Sequence, residues 1–203
     1  MTKNELFSYR AVIFDIDGTL YPIKYLNRQF RKLYFSHPII TSNFFKARKL
    51  IRVKNSQLEY EQTNREEFLK LQAECIGKGK NYFDVFYKGL SRKRKLVPYN
   101  GIENLLIELK SKGITLGVLS DFPVETKLKE LGLDEYFNIK LSTEDVGFLK
   151  PDIRAFKYLK KNLAVAPQEC VYVGDSVTKD INGSKNAGFT PLLINELLSI
   201  IKE

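Results

Sequence analysis

Between residues 98 and 194 the chain alternates short apolar runs with amphipathic segments that end in glycine. Few architectures accept that alternation. Residues 102–112 read as a helix, because Ile102, Leu105, Leu106 and Leu109 share one face and Gly113 stops the run. Residues 114–119 read as a strand, 125–131 as a short helix ended by Gly132, and 139–142 as another strand. Pro151 is placed to open a helix reaching Leu163, with Lys150 in the loop before it. Residues 171–174 read as a strand, 181–187 as a helix stopped by Gly188, and 191–194 as a last strand. Val12, Ile13 and Phe14 add one more strand near the N-terminal end, too short and too β-branched for a helix. Strands alternating with helices predict a parallel sheet covered on both faces, an α/β fold.

Residues 21–97 interrupt this pattern between its first strand and first helix. Helices are predicted at 27–34, 43–52, 65–76 and 82–90, with no convincing strand. Phe30, Leu33, Tyr34, Phe44, Phe45, Phe68, Leu71, Phe83 and Phe86 are expected to form a small aromatic core. Charge separates the two parts as well. The chain carries a net +9, yet residues 21–98 hold 18 Lys and Arg against 6 Asp and Glu, leaving 15 against 18 elsewhere. The whole basic excess sits in the inserted segment, as expected of two modules with different tasks. A length of 203 residues suits one sizeable core with a smaller companion, and 43% hydrophobic residues exclude a disordered chain.

No apolar run approaches the length that crosses a bilayer, and residues 1–6 lack the apolar segment of a signal peptide. Cys75 and Cys170 are far apart, no Cys/His spacing suggests zinc, and Cys170 lies in an apolar run suited to an inert buried thiol. A reducing, cytoplasmic location is the expectation. The oligomeric state is not legible.

The chemistry collects just after the predicted strands. Asp15 and Asp17 follow the first, Ser120 and Asp121 the second, and Asp175, Ser176 and Asp180 the strand at 171–174. In a parallel sheet these ends converge on one edge, where ligands bind. Several carboxylates around one point call for a hard divalent cation with oxygen ligands, and Mg²⁺ is the usual choice beside phosphate. One lysine and one hydroxyl complete what phosphoryl transfer needs: a nucleophile, an acid/base, a metal and positive groups for the equatorial oxygens.

Asp15-Ile16-Asp17-Gly18-Thr19-Leu20 resembles the first motif of the haloacid dehalogenase-like superfamily. Leu119-Ser120-Asp121 resembles its second, Lys150-Pro151-Asp152 its third, and Gly174-Asp175-Ser176-Val177-Thr178-Lys179-Asp180 its fourth, all in the family's order. The resemblance implies a Rossmann-like sheet in strand order 5-4-1-2-3. It makes residues 1–20 and 98–203 the core domain, and residues 21–97 a helical cap domain inserted after the first strand. It further implies that Asp15 is the nucleophile, Asp17 the acid/base, Ser120 a phosphoryl hydrogen-bond donor and Lys150 a charge neutraliser. Mg²⁺ would be held by Asp15, the backbone carbonyl of Asp17 and Asp175, with Asp180 either a further ligand or a support for the others. Dehalogenases of the superfamily lack the second aspartate, so Asp17 points to phosphate chemistry.

The expected activity is therefore Mg²⁺-dependent hydrolysis of a small-molecule phosphate monoester, with neither nucleic acid nor membrane as partner. The alternatives are a phosphomutase of the same superfamily and a non-catalytic binder of nucleic acid or an acidic partner through the basic segment. Blander roles exist for single residues. Asp15 and Asp17 suit a capped turn, Lys150 a surface position, Asp180 a helix cap and His37, before Pro38, a turn. Ser184 and Asn186 are expected on a helix surface, and Arg92-Lys93-Arg94-Lys95 in a solvated basic hinge that resembles a nucleic-acid patch.

Overall fold

The computed structural model of the chain describes residues 1–55, 63–92 and 95–202. Its elements run in the order α1 (Lys3–Leu6), β1 (Ala11–Phe14), α2 (Lys24–Ser36), α3 (Pro38–Asn55), α4 (Arg65–Glu74), α5 (Asp84–Leu90), α6 (Ile102–Ser111) and β2 (Thr115–Ser120). There follow α7 (Glu125–Leu131), β3 (Ile139–Ser142), α8 (Ile153–Lys161), β4 (Cys170–Gly174), α9 (Asn182–Asn186), β5 (Thr190–Leu193) and α10 (Ile194–Lys202). The five strands are parallel and ordered β3-β2-β1-β4-β5, the expected order.

Period-two alternation sends successive strand residues to opposite faces, and both faces are covered. Val12 and Phe14 of β1, with Val171 and Val173 of β4, pack on Leu105, Leu106 and Leu109 of α6 and Leu197 of α10. Ala11, Ile13 and Tyr172 point the other way, onto Phe156 and Leu159 of α8. The buried residues of α6 are the four its periodicity predicts. Truncating Leu106, which is fully buried, to alanine is expected to cost roughly 2–5 kcal/mol. The sheet's register sets Phe14 beside both Val118 and Val173, so the residues just beyond β1, β2 and β4 emerge side by side.

Several boundaries differ from the sequence reading. Pro151 precedes rather than opens its helix: α8 starts at Ile153 because the Asp152 carboxylate caps it, accepting from Arg154 N at 2.9 Å. Ile194 begins α10 instead of ending a strand, and Ile194, Leu197 and Ile200 bury one face of that helix. Ser184 is fully buried, not on the surface, because its short side chain turns back to Ile181 O at 3.2 Å.

Among the described residues between 24 and 92 every regular element is a helix. His37 links α2 to α3, with Pro38 in the first turn where its missing N–H is no loss. Leu26, Leu33, Phe44, Phe83 and Phe86 make a separate apolar cluster, in which the Phe44 and Phe86 rings stack with centroids 3.7 Å apart. A Cβ on Gly89 would lie 2.4 Å from Leu33 Cδ2, so α5 approaches α2 only because that position carries no side chain. Of the other expected core residues, Tyr34 is 55% exposed, Leu71 is only half-buried and outside the cluster, and Phe45 sits at its rim, 44% exposed with its ring edge-on to those of Phe30 and Phe86. Phe68 joins Ile51 and Leu149, bridging the helices to the α/β part. Of the basic run, Arg92 and Lys95 are exposed, while Lys93 and Arg94 lie outside the described residues. No described helix is long and apolar enough to cross a membrane.

Candidate active site

Asp15 is the first residue past β1 and is buried there, its backbone N–H donating to Val173 O at 2.8 Å. Its Oδ1 accepts from Lys150 Nζ at 2.8 Å and its Oδ2 from Thr19 Oγ1 at 3.3 Å. Lys150 reaches onward to Asp180 Oδ1 at 2.6 Å and to Tyr172 OH at 3.1 Å. Lys150 is 2% exposed, so the sequence-level alternative of a surface lysine does not describe it. Burial alone would favour its neutral form, but Asp15 and Asp180 outweigh burial and hold its pKa well above the usual lysine value.

One lysine does not offset all the local negative charge. Burial pushes the Asp15 carboxyl up to about 7 against the pull of Lys150, with Asp180 and Asp17 adding to the rise. Burial and the neighbouring Asp180 raise Asp175 as well. Asp15, Asp175 and Asp180 each present a carboxylate oxygen, all within 4.8 Å of one another. A donor set of hard oxygens with surplus negative charge fits Mg²⁺. Gly18 makes this proximity possible. Its φ is +94°, and a Cβ there would lie 2.3 Å from Asp175 Oδ2.

The Asp17 carboxylate is not part of this cluster. Tyr21 OH donates to its Oδ1, and Lys127, from α7, pairs with its Oδ2. Ser120 is fully buried at the end of β2, where its Oγ accepts from Phe122 N at 3.3 Å. It is not among the described residues lining the adjoining cavity.

That cavity, of about 380 Å³, lies between the sheet edge and the inserted helices. Asp15, Asp17, Lys150, Asp175 and Asp180 form one wall; Leu26, Phe30, Phe45, Arg48 and Arg52 form the other, with Phe122 beside them. Phe45 is thus exposed because it faces the cavity. The arginines are already engaged. Arg48 Nη1 donates to the fully buried Glu144 at 2.7 Å, and Tyr87 OH and Arg65 Nε bond the same carboxylate. Arg52 Nη2 donates to Asp121 Oδ2 at 2.7 Å, while Asp121 Oδ1 accepts from Lys150 N and from Thr143 Oγ1, both at 3.0 Å. Burial works against the Asp121 charge, but Lys150, Arg52 and Arg48 together hold its carboxyl well below the usual range. Arg48, Arg52, Tyr21, Lys127 and Glu144 carry no sequence motif and were not singled out by the sequence.

The sequence model of haloacid dehalogenase-like hydrolases matches residues 9–188, most of the chain. The chain belongs to that family. The glyceraldehyde 3-phosphate phosphatase of Methanothermobacter thermautotrophicus is 33% identical over 94% of this chain and 87% of its own length. The protein of the same name from Methanopyrus kandleri is 30% identical over 91% of this chain and 83% of its own. Among solved structures, the HAD phosphatase from Thermococcus onnurineus superposes with a TM-score of 0.57 at 28% identity, covering 90% of this chain and 84% of that one. These relatives put the chain in the phosphatase branch of the family.

Proposed function

We propose that this protein hydrolyses a small phosphate monoester with Mg²⁺ through an aspartyl-phosphate intermediate. The observation that carries the reading is the buried Asp15–Lys150–Asp180 array beside Asp175, opening into a cavity roofed by helices. Asp15, Asp175, Asp180 and the Asp17 backbone carbonyl would hold the metal, which supplies positive charge to the phosphoryl oxygens.

An Asp15 carboxylate oxygen attacks phosphorus as the ester P–O bond breaks, and Asp17 gives its proton to the departing oxygen. Water then attacks the phosphorus of the acyl phosphate while Asp17 takes the water's proton, releasing phosphate and restoring Asp15. Lys150 offsets the charge of Asp15 and of the transferring group and holds Asp15 in place. Ser120 contributes through the Phe122 turn that it ties to the cavity edge. The helices of residues 21–97 act as the cap, excluding water and shaping the pocket for the ester.

Two named glyceraldehyde 3-phosphate phosphatases make that ester the first to test. A cytoplasmic setting belongs to the same reading, supported by two free cysteines, of which Cys170 is buried. The experiment is phosphate release from a panel of metabolite monoesters, with Mg²⁺ and with chelator. Release that needs Mg²⁺, and an Asp175→Asn variant that needs more of it, is the expected result. No release from any ester with Mg²⁺ present would reject the proposal.

A further inference from the structure

Asp17 is held from outside the cavity in which it would work. We infer that Lys127 is a positioning residue for proton transfer, fixing the Asp17 carboxylate where the leaving-group oxygen meets it; the inference rests on the phosphatase reading. Lys127 is 5% exposed, on a helix whose other buried residues are Leu128 and Leu131. Packing there asks for an apolar side chain, and burying an ammonium group is costly unless it is paired. Its nitrogen pairs with Asp17 and lies 4.8 Å from the centre of the Phe122 ring.

Lys127 is absent from the described lining of the reaction cavity and instead lines a cleft of about 40 Å³ with Leu90, Phe122 and Thr126. It reaches Asp17 from the side of that cleft and not from the cavity. The second tether comes from the same turn as Asp17. Tyr21 is fully buried, its backbone bridges to that of Asp17, and its hydroxyl donates to the other carboxylate oxygen. With each oxygen anchored once, the carboxylate plane is set, and each oxygen keeps a lone pair for the proton it exchanges. Misplacing such a group by about 1 Å costs on the order of 100-fold in rate.

The test compares kcat/KM for two esters in the wild type and in Lys127→Met, which keeps the apolar stem. The leaving group of p-nitrophenyl phosphate departs without a proton, whereas an alkoxide such as that of glycerol phosphate needs one. Lys127→Met is expected to lose roughly 10- to 100-fold on the alkyl ester and much less on the aryl ester. Placed in an Asp17→Asn background it should add no further loss. Equal losses on both esters, or a loss that adds fully to that of Asp17→Asn, would overturn the inference. If Lys127→Met does not fold, Tyr21→Phe, which removes one hydroxyl, is put through the same comparison. Where glycerol phosphate is not turned over, the alkyl ester is one that the panel shows to be hydrolysed. A wild type that releases phosphate from no ester with Mg²⁺ would instead overturn the phosphatase reading on which the inference rests.

Discussion

The two walls of the cavity are made by opposite means. The sheet-edge wall is built mainly of carboxylates, with Lys150 and Lys179, each held at a strand end or in the segment beside it by the parallel register. The cap wall is built mainly of apolar side chains, Leu26, Phe30 and Phe45 among them, and two arginines, whose charges are already matched by Glu144 and Asp121 of the core. The cap's basic surplus therefore does two separate things. Arg48, Arg52 and Arg65 join cap to core, while Lys24, Arg28, Lys32, Lys46 and Lys49 are exposed. On the function proposed above, chemistry belongs to the core wall and shape to the cap wall.

The largest effects should come from the core wall. Asp15→Asn is expected to lower kcat by roughly 10,000-fold or more, as removal of a nucleophile does. Asp17→Asn should lower it roughly 100- to 10,000-fold, the usual worth of an acid/base. Phe45→Ala should raise KM and leave kcat within about 10-fold, because an apolar wall binds ground and transition states alike. A cap variant that reduced kcat as severely as Asp17→Asn would break the division between the walls.

The joint between the walls comes next. Glu144→Ala leaves Arg48 buried without its carboxylate, and one-sided loss of a buried pair costs on the order of 3–5 kcal/mol. Thermal unfolding should show a marked fall in Tm, largely restored by adding Arg48→Met. The same removal at Arg52, which is partly exposed, should cost much less.

Acid should loosen the joint through Asp121. Its folded pKa lies below the unfolded value, so the stability it contributes is complete above about pH 4 and disappears as the pH falls through the folded value. Below about pH 4 the Tm of the wild type should therefore drop more steeply than that of Asp121→Asn. Parallel curves would show that Asp121 gives the joint no net charge-dependent stability.

Salt is expected to do least. Since the cavity arginines are paired and the other described cap lysines are solvated, kcat/KM for singly and doubly anionic esters should fall with ionic strength at similar, shallow slopes. A steeper slope for the doubly anionic ester would show that the outer cap charges steer substrate after all.

Much of this molecule is written in local pattern. The α6 face and the five strands follow from hydrophobic periodicity and glycine stops, the grouping of Asp15, Lys150, Asp175 and Asp180 from their places beside strand ends, and the strand order from the family resemblance that four short motifs carry. Periodicity reports burial along one element, and a parallel sheet turns strand ends into neighbours, so sequence alone determined the fold class and nominated the core wall. Tertiary structure decided which charged residues go inside. Of 18 basic residues between 21 and 98, nothing local marks Arg48 for burial, since its partner Glu144 is 96 positions away. Lys127 likewise meets Asp17 across 110 positions, and Phe45 stands at the rim of the aromatic core, partly exposed, because the cavity lies on its side of α3. A buried charge depends on a partner supplied by another element, and such pairing has no period along the chain.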